Sequence, residues 1–263
     1  MPLAGWSENN PSEFKGNAET SDGILPTERG LLRRITSRLV RRLRRIHQPA
    51  LGSVDFGDLG HTSPVSRAFG YDRGTPVDRF YIEDFLSRSS GDINGCVLEV
   101  ADATYSARFG SRITKQDVLH LHEHPAATIV ADLTKADALP EQAFDCIVIT
   151  QTLQFIYDIQ AATKQLHRAL RPGGVVLATV PGISSRGGGE WAERWCWSLT
   201  ELSARNLFGE WFPSDAIETS VYGNIYAATC FLQGLALEEV DRDRLLRVDP
   251  GYPVIVAIRA RRC

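Results

Sequence analysis

The chain has 263 residues, a net charge of -3, and ordinary shares of apolar and charged residues. That length suits one domain of 200 or so residues plus an appendage, and a core of that size needs no disulfide or metal to hold it. The mild negative charge argues against a surface built for general nucleic-acid binding. The five cysteines, at 96, 146, 196, 230 and 263, form no CxxC pair, so neither a zinc nor a redox site is expected and a reducing cytoplasm is the simplest setting. No apolar run approaches 18 residues, and the N-terminus lacks a hydrophobic signal segment.

Residues 1–30 are rich in Asn, Ser, Glu, Gly and Pro and read as a disordered tail. Over 31–47 the pattern changes. Leu32, Ile35, Leu39, Leu43 and Ile46 form one helical stripe, with arginines on the other faces and no acidic residue from Arg29 to Val54. Such a basic amphipathic helix suits an anionic membrane surface or an acidic protein partner. It equally suits a helix that packs its stripe on the domain and solvates its arginines. No base-reading element accompanies it, so no specific nucleic acid is expected. A linker runs to residue 64, and the folded domain is expected over 65–263, beginning with a helix near Pro76–Arg88.

From Cys96 onward, short apolar runs alternate with longer mixed segments. The runs are Val97–Val100, a weaker one near Ile113–Leu119, Thr128–Val130, Cys146–Ile149, Val175–Val180 and, last, Val254–Ile258. Continuous β-branched runs are typical of strands buried on both faces of a parallel sheet. Between two of them, Ile159, Ala162, Leu166, Ala169 and Leu170 give a helical stripe that stops at Arg171-Pro172-Gly173-Gly174. Strand, helix and strand at this spacing make a right-handed βαβ unit. The fold expected is α/β and doubly wound, with the ligand at the carboxyl ends of the strands.

The residues after each strand carry the chemistry. Glu99-Val100-Ala101-Asp102-Ala103-Thr104-Tyr105 follows the first strand, and Ile113-Thr114-Lys115-Gln116-Asp117 ends the second. Ala131-Asp132-Leu133 ends the third. Leu139-Pro140 through Phe144-Asp145 leads into the fourth, which ends at Gln151, and Arg168-Ala169-Leu170-Arg171-Pro172-Gly173-Gly174 leads into the fifth. Together these resemble the class I S-adenosylmethionine-dependent methyltransferases over about residues 65–260. The resemblance implies a mostly parallel seven-stranded sheet of Rossmann-like methyltransferase type, here with a basic N-terminal helical extension.

It also implies S-adenosyl-L-methionine as cofactor. Glu99 matches the family's acidic position. Ala101, Asp102 and Ala103 form the loop that approaches the cofactor, with Ala101, Ala103 and Tyr105 standing where that family has three glycines. Asp117 matches the ribose-binding carboxylate, with Glu123 as the fallback. Asp132 and Leu133 match the adenine contacts. Gln151 follows the fourth strand, and Arg79, with Arg73 and Tyr81, precedes the sheet where relatives hold the methionine carboxylate.

Phe69–Glu83 and Leu202-Ser203-Ala204-Arg205 resemble a bacterial subgroup found with glycan and polysaccharide biosynthesis genes. This implies a small-molecule or glycan acceptor and O-methylation; the cysteine usage and the basic stripe place the expected setting in the cytoplasm, or at the membrane periphery. The contrasting expectation is a non-catalytic, methyltransferase-like protein that binds a partner, such as a glycosyltransferase. Four of the five tryptophans lie between 191 and 212, where the family builds a substrate cap. No general base stands out; Tyr157 and Asp158 are the nearest. His120, His122 and His124 alternate beside the turn at Pro125, and no metal is expected of them.

Overall fold

A computed structural model describes residues 49–263. The tail at 1–30 and the basic stripe at 31–47 lie outside the described residues. A compact unit runs from Gly57 to Cys263, starting a little before the Val65 expected from sequence.

Among the described residues seven strands form one sheet: β1 Gly95–Val100, β2 Ile113–His120, β3 Ile129–Val130, β4 Phe144–Thr150, β5 Leu170–Pro181, β6 Ile217–Tyr222 and β7 Ile255–Arg261. Their order is β3-β2-β1-β4-β5-β7-β6. The first five are parallel, and β7 enters antiparallel between β5 and β6. This is the Rossmann-like methyltransferase sheet. The order reverses between β1 and β4, which places the crevice of an open α/β sheet at their carboxyl ends.

The apolar runs are continuous because both faces of the sheet are covered. Along β4, Ile147 and Ile149 enter one core cluster while Cys146 and Val148 enter the other. The first cluster packs α3 (Ile159–Ala169) and α5 (Glu201–Gly209) on the sheet; the second packs α1 (Val77–Arg88) and α6 (Ile225–Leu232). Two short helices, α2 (Thr104–Phe109) and α4 (Glu190–Arg194), lie next to strand ends, and α7 (Arg242–Leu245) follows α6. Among the described residues no helix is long and apolar enough to cross a membrane.

Two features lock the amino-terminal end of the sheet, away from the crevice. Asp145 accepts from the Cys96 N–H and from Arg171 Nη1, both at 2.7 Å. Gly95 beside it has φ 69°, and a Cβ there would run into the Asp145 carboxylate. The Arg171–Gly174 stretch, read as a helix stop and turn, is also the start of β5. Its register against β4 shifts between Phe144 and Cys146, and Gly173 sits at φ 82°.

Candidate functional site

The loop after β1 follows a tight path despite lacking glycine. Ala101 adopts φ 78°, the left-handed region that an L-residue enters only at a cost, and its N–H donates to the Leu119 carbonyl at 3.0 Å. Asp102 is exposed and its Oδ1 accepts from the Thr104 N–H at 2.8 Å, closing the turn into α2, while Ala103 stands at the N-cap of that helix. Glu99 is buried and holds the loop from beneath. Its oxygens accept from the Tyr105 N–H at 3.0 Å, the Ser106 N–H at 2.7 Å and the Ser106 hydroxyl. Burial pushes the Glu99 carboxyl up, and the hydrogen bonds from Ser106 and Tyr105 oppose that shift. Glu99 is thus a brace for the loop.

Tyr105, at the third glycine position, turns toward α1. Its ring stacks with Phe109 and its hydroxyl accepts from Arg79 Nη1 at 2.7 Å. Arg79 Nη2 donates to the Tyr71 hydroxyl at 2.5 Å. Burial works against the Arg79 charge, yet Asp78 and the two phenols hold its pKa above the ordinary arginine value.

Asp117 does not reach the crevice. β2 continues for three residues beyond it, to His120, so Asp117 sits within the strand opposite Leu98. There it is buried and accepts from Lys115 Nζ at 2.7 Å and from the Thr128 hydroxyl at 2.9 Å. The second strand runs on past Asp117, further than its apolar run suggested. His120, Leu121, His122 and the exposed Glu123 stand at the strand's end instead. His120 stacks on His124 with 4.1 Å between centroids, and among the described residues no cluster is suited to a metal.

Asp132 and Leu133 do follow the carboxyl end of β3. Asp132 Oδ1 accepts from the Thr134 N–H at 2.9 Å and hydroxyl at 2.8 Å, bonds that hold its carboxyl below the usual range. Leu133 is buried in the core.

After β4, Gln151 takes φ 47°. Its N–H donates to the Thr179 carbonyl at 2.9 Å and its Oε1 accepts from Gln154 Nε2 at 3.2 Å. Gln151 and Arg79 both line a cavity of about 500 Å³ beside this strand end. Its walls include Phe69, Phe155, Trp191, Trp195 and Phe231, and its polar groups include Asp78 and Gln154. Gly187, at φ 69°, passes so close to the Phe69 ring that a Cβ would collide with it.

Other expectations resolve differently. Arg73 pairs with Glu239 and the Tyr81 hydroxyl donates to the Leu245 carbonyl at 3.0 Å, so neither faces the cavity. Tyr157 is exposed and stacks on Trp197, and Asp158 caps α3 through the Ala161 N–H. The tryptophans divide: Trp191 and Trp195 face the cavity, whereas Trp197 donates to the Ile156 carbonyl and Trp211 packs against the core.

Asp78 and Gln154 were not singled out from sequence. Both are buried, and among the described residues Asp78 Oδ1 and Gln154 Oε1 have no hydrogen-bond partner. An aspartate in a helix's first turn reads as a response to the helix dipole, which left Asp78 without a distinguishing signal.

Comparison with known proteins agrees with this architecture. Residues 96–178, from β1 into β5, match the family model described as a methyltransferase domain. Among solved structures the chain is similar to the N-methyltransferase NodS from Bradyrhizobium japonicum in complex with S-adenosyl-L-homocysteine, at 13% identity and TM-score 0.46, covering 76% of this chain and 94% of that one. It is also similar to an S-adenosylmethionine-dependent methyltransferase from Mesorhizobium loti, at 16% identity and TM-score 0.45, covering 67% and 95%. A third is phosphoethanolamine N-methyltransferase 2 from Haemonchus contortus, at 15% identity and TM-score 0.46, covering 70% and 52%. No curated protein gives a significant match.

Proposed function

We propose that the protein transfers a methyl group from S-adenosylmethionine to a small molecule bound in the cavity beside β4. The observation that carries this reading is the cavity's position. It lies at the carboxyl end of β4, one of the two strands between which the order reverses, where Gln151, Gln154 and Phe155 of the segment that matches the methyltransferase model line it.

The residues fit the cofactor. Ala101 keeps the backbone conformation that glycine would supply, at the cost of one methyl group, and Tyr105 is drawn toward Arg79 and away from the loop. The backbone of Ala101, Asp102 and Ala103 would lie along the cofactor, with Asp132 and Leu133 at the adenine. Gln151 and Arg79 would lie at the amino-acid end. The bound cofactor supplies a methyl group already activated on a sulfonium centre. The protein's part is then to orient the acceptor and exclude water. The aromatic faces of Trp191 and Trp195 line the space for the acceptor, and they suit a sugar ring as well as other flat or apolar acceptors. For a hydroxyl acceptor, Asp78 is the buried carboxylate of the cavity lining able to take a proton.

Calorimetric titration with S-adenosylhomocysteine tests this reading. The wild-type protein is expected to bind, and Asp132→Ala to weaken binding by about 1.5–3 kcal/mol, the scale of a hydrogen bond to a charged group. No heat at millimolar ligand would favour the non-catalytic alternative, in which the Ala101 methyl bars the cofactor.

A further inference from the structure

The polar groups in the cavity wall are largely satisfied by the protein itself. Arg79 donates to the Tyr105 and Tyr71 hydroxyls. Gln151 Oε1 accepts from Gln154 Nε2 at 3.2 Å, and the Asp72 carboxylate accepts from the Ser66 hydroxyl. Asp78 Oδ1 and Gln154 Oε1 are sealed behind neighbouring atoms and present no surface to a bound molecule. The Tyr71 hydroxyl, which accepts from Arg79, keeps its own proton to donate, enough for a single ring substituent. The charges balance as well. The lining holds two cations, Arg67 and Arg79, and two anions, Asp72 and Asp78. Arg67 and Asp72 are exposed, where solvent screens them.

What the wall leaves open is aromatic. Trp191 lines the cavity and is 58% exposed, and Phe69, Phe155 and Trp195 are partly exposed in the same wall. Phe155 meets Trp191 and Trp195 at centroid distances of 5.2 and 5.3 Å, and Phe69 stacks on Trp195 at 6.1 Å. The four rings therefore form one continuous run, with Phe231 against Phe69 at 6.0 Å. Phe69 holds φ 57°, a strained conformation for a bulky residue, to take its place there. Ring faces of this kind accept a further ring by offset or edge-to-face stacking. A sugar would stack too, but its several hydroxyls each need a partner once water is displaced, and this wall has few to give. A cation gains from aromatic faces, yet the largely buried Arg79 keeps its positive charge in the same wall and opposes it. An anion meets Asp72 and Asp78.

We propose that the acceptor presents a flat, uncharged, apolar ring to the cavity, stacked on Trp191 beside Phe155 and Trp195, with a single polar substituent within reach of the Tyr71 hydroxyl. This rests on reading the cavity as the acceptor site, and it sets sugars and charged rings aside. The volume, about 500 Å³, accommodates a fused two-ring compound.

The test is calorimetry on the full chain at pH 7 with 2-naphthol, its charged flat counterpart N-methylquinolinium, and methyl glucoside, each with and without saturating S-adenosylhomocysteine. 2-Naphthol is expected to bind at least tenfold more tightly than either of the others in both conditions. Trp191→Ala and Trp195→Ala are each expected to weaken 2-naphthol at least tenfold and to leave S-adenosylhomocysteine affinity within threefold, with circular dichroism confirming the fold of each. If Trp195→Ala does not fold, the variant at the exposed Trp191 decides alone. Absence of 2-naphthol binding overturns the proposal, as does equal or tighter binding of the glucoside or the quinolinium. So does 2-naphthol binding that Trp191→Ala leaves unchanged, because the ring would then sit elsewhere. Displacement of 2-naphthol by S-adenosylhomocysteine, combined with a tenfold loss of S-adenosylhomocysteine affinity in Trp191→Ala, also overturns it, because the rings would then serve the cofactor. A protein that binds 2-naphthol through Trp191 but ignores S-adenosylhomocysteine keeps the ring site and refutes the methyl-transfer reading.

Discussion

Arg79 donates to the Tyr105 hydroxyl across 2.7 Å, so the residue standing at the third glycine position tethers the arginine of the cavity wall. The bulk that seemed to obstruct the loop instead fixes a charged side chain. Tyr105→Phe removes the acceptor and strands one donor in a largely buried setting. Stability is expected to fall by about 1 kcal/mol, and S-adenosylhomocysteine affinity to fall severalfold as Arg79 loosens. Thermal melts and calorimetry on the same variant check both. A stability change with no change in affinity would show that Arg79 does not face the cofactor.

Ala101 at φ 78° bears a backbone cost that glycine would not. Ala101→Gly is expected to raise stability by up to ~1 kcal/mol, the left-handed penalty less the extra entropy of glycine in the unfolded chain. Urea unfolding measures this. A destabilised variant would mean that the loop is less strained than its dihedral angle implies.

Glu99 receives three donors while buried. Glu99→Gln keeps the shape but loses the charge and one acceptor oxygen, and is expected to cost about 2–3 kcal/mol. Since these bonds set the start of α2, proteolysis near residues 101–106 should accelerate in the variant. Unchanged stability would show the brace to be dispensable.

Asp117→Ala separates position from role. Within β2 the residue serves Lys115 and Thr128, so its loss is expected to cost about 1–3 kcal/mol of stability and to leave S-adenosylhomocysteine affinity within twofold. A selective loss of affinity in a stable variant would return Asp117 to the ribose.

Asp78 gives a pH signature. Burial raises its folded pKa above the unfolded value near 4, so the folded state binds the proton more tightly. Wild-type stability attributable to this group therefore declines as pH rises from about 4 through the folded pKa, and the full penalty applies above it. Asp78→Asn is expected to raise the melting temperature at pH 7, with the gain shrinking toward pH 4. Calorimetric scans across that range check the slope. A variant less stable than wild type at pH 7 would mean that the carboxylate has its counter-ion already.

The legible part of the molecule was what the sheet buries on both sides. Val97–Val100, Cys146–Ile149 and Val175–Val180 read as strands because both faces meet core, and α3 read as a helix because its stripe repeats against one face. β6 was missed: Ile217-Glu218-Thr219-Ser220-Val221-Tyr222 lies at the sheet edge and mixes polar residues into a short strand. α6 was missed because Ile225–Leu232 is apolar nearly all round and shows no stripe. In the site, Asp132, Gln151 and Arg79 came out at strand ends or in the cavity wall, as their positions beside apolar runs suggested. Asp117 did not, since the strand runs on through Val118, Leu119 and His120. Asp78 and Gln154 acquire meaning only when the chain brings residues far apart in sequence around one hollow.

The placement of β7 between β5 and β6 bears on how the chain is made. Among the described residues β6 pairs with β7 alone, so on the ribosome it waits, unpaired, until residues 255–261 emerge. At about 5–20 residues per second, that interval is roughly a few seconds, with the flank of β5 bare throughout. Open strand edges of this kind recruit other chains, so the nascent protein is most vulnerable to aggregation in that interval, after most of this core has been translated.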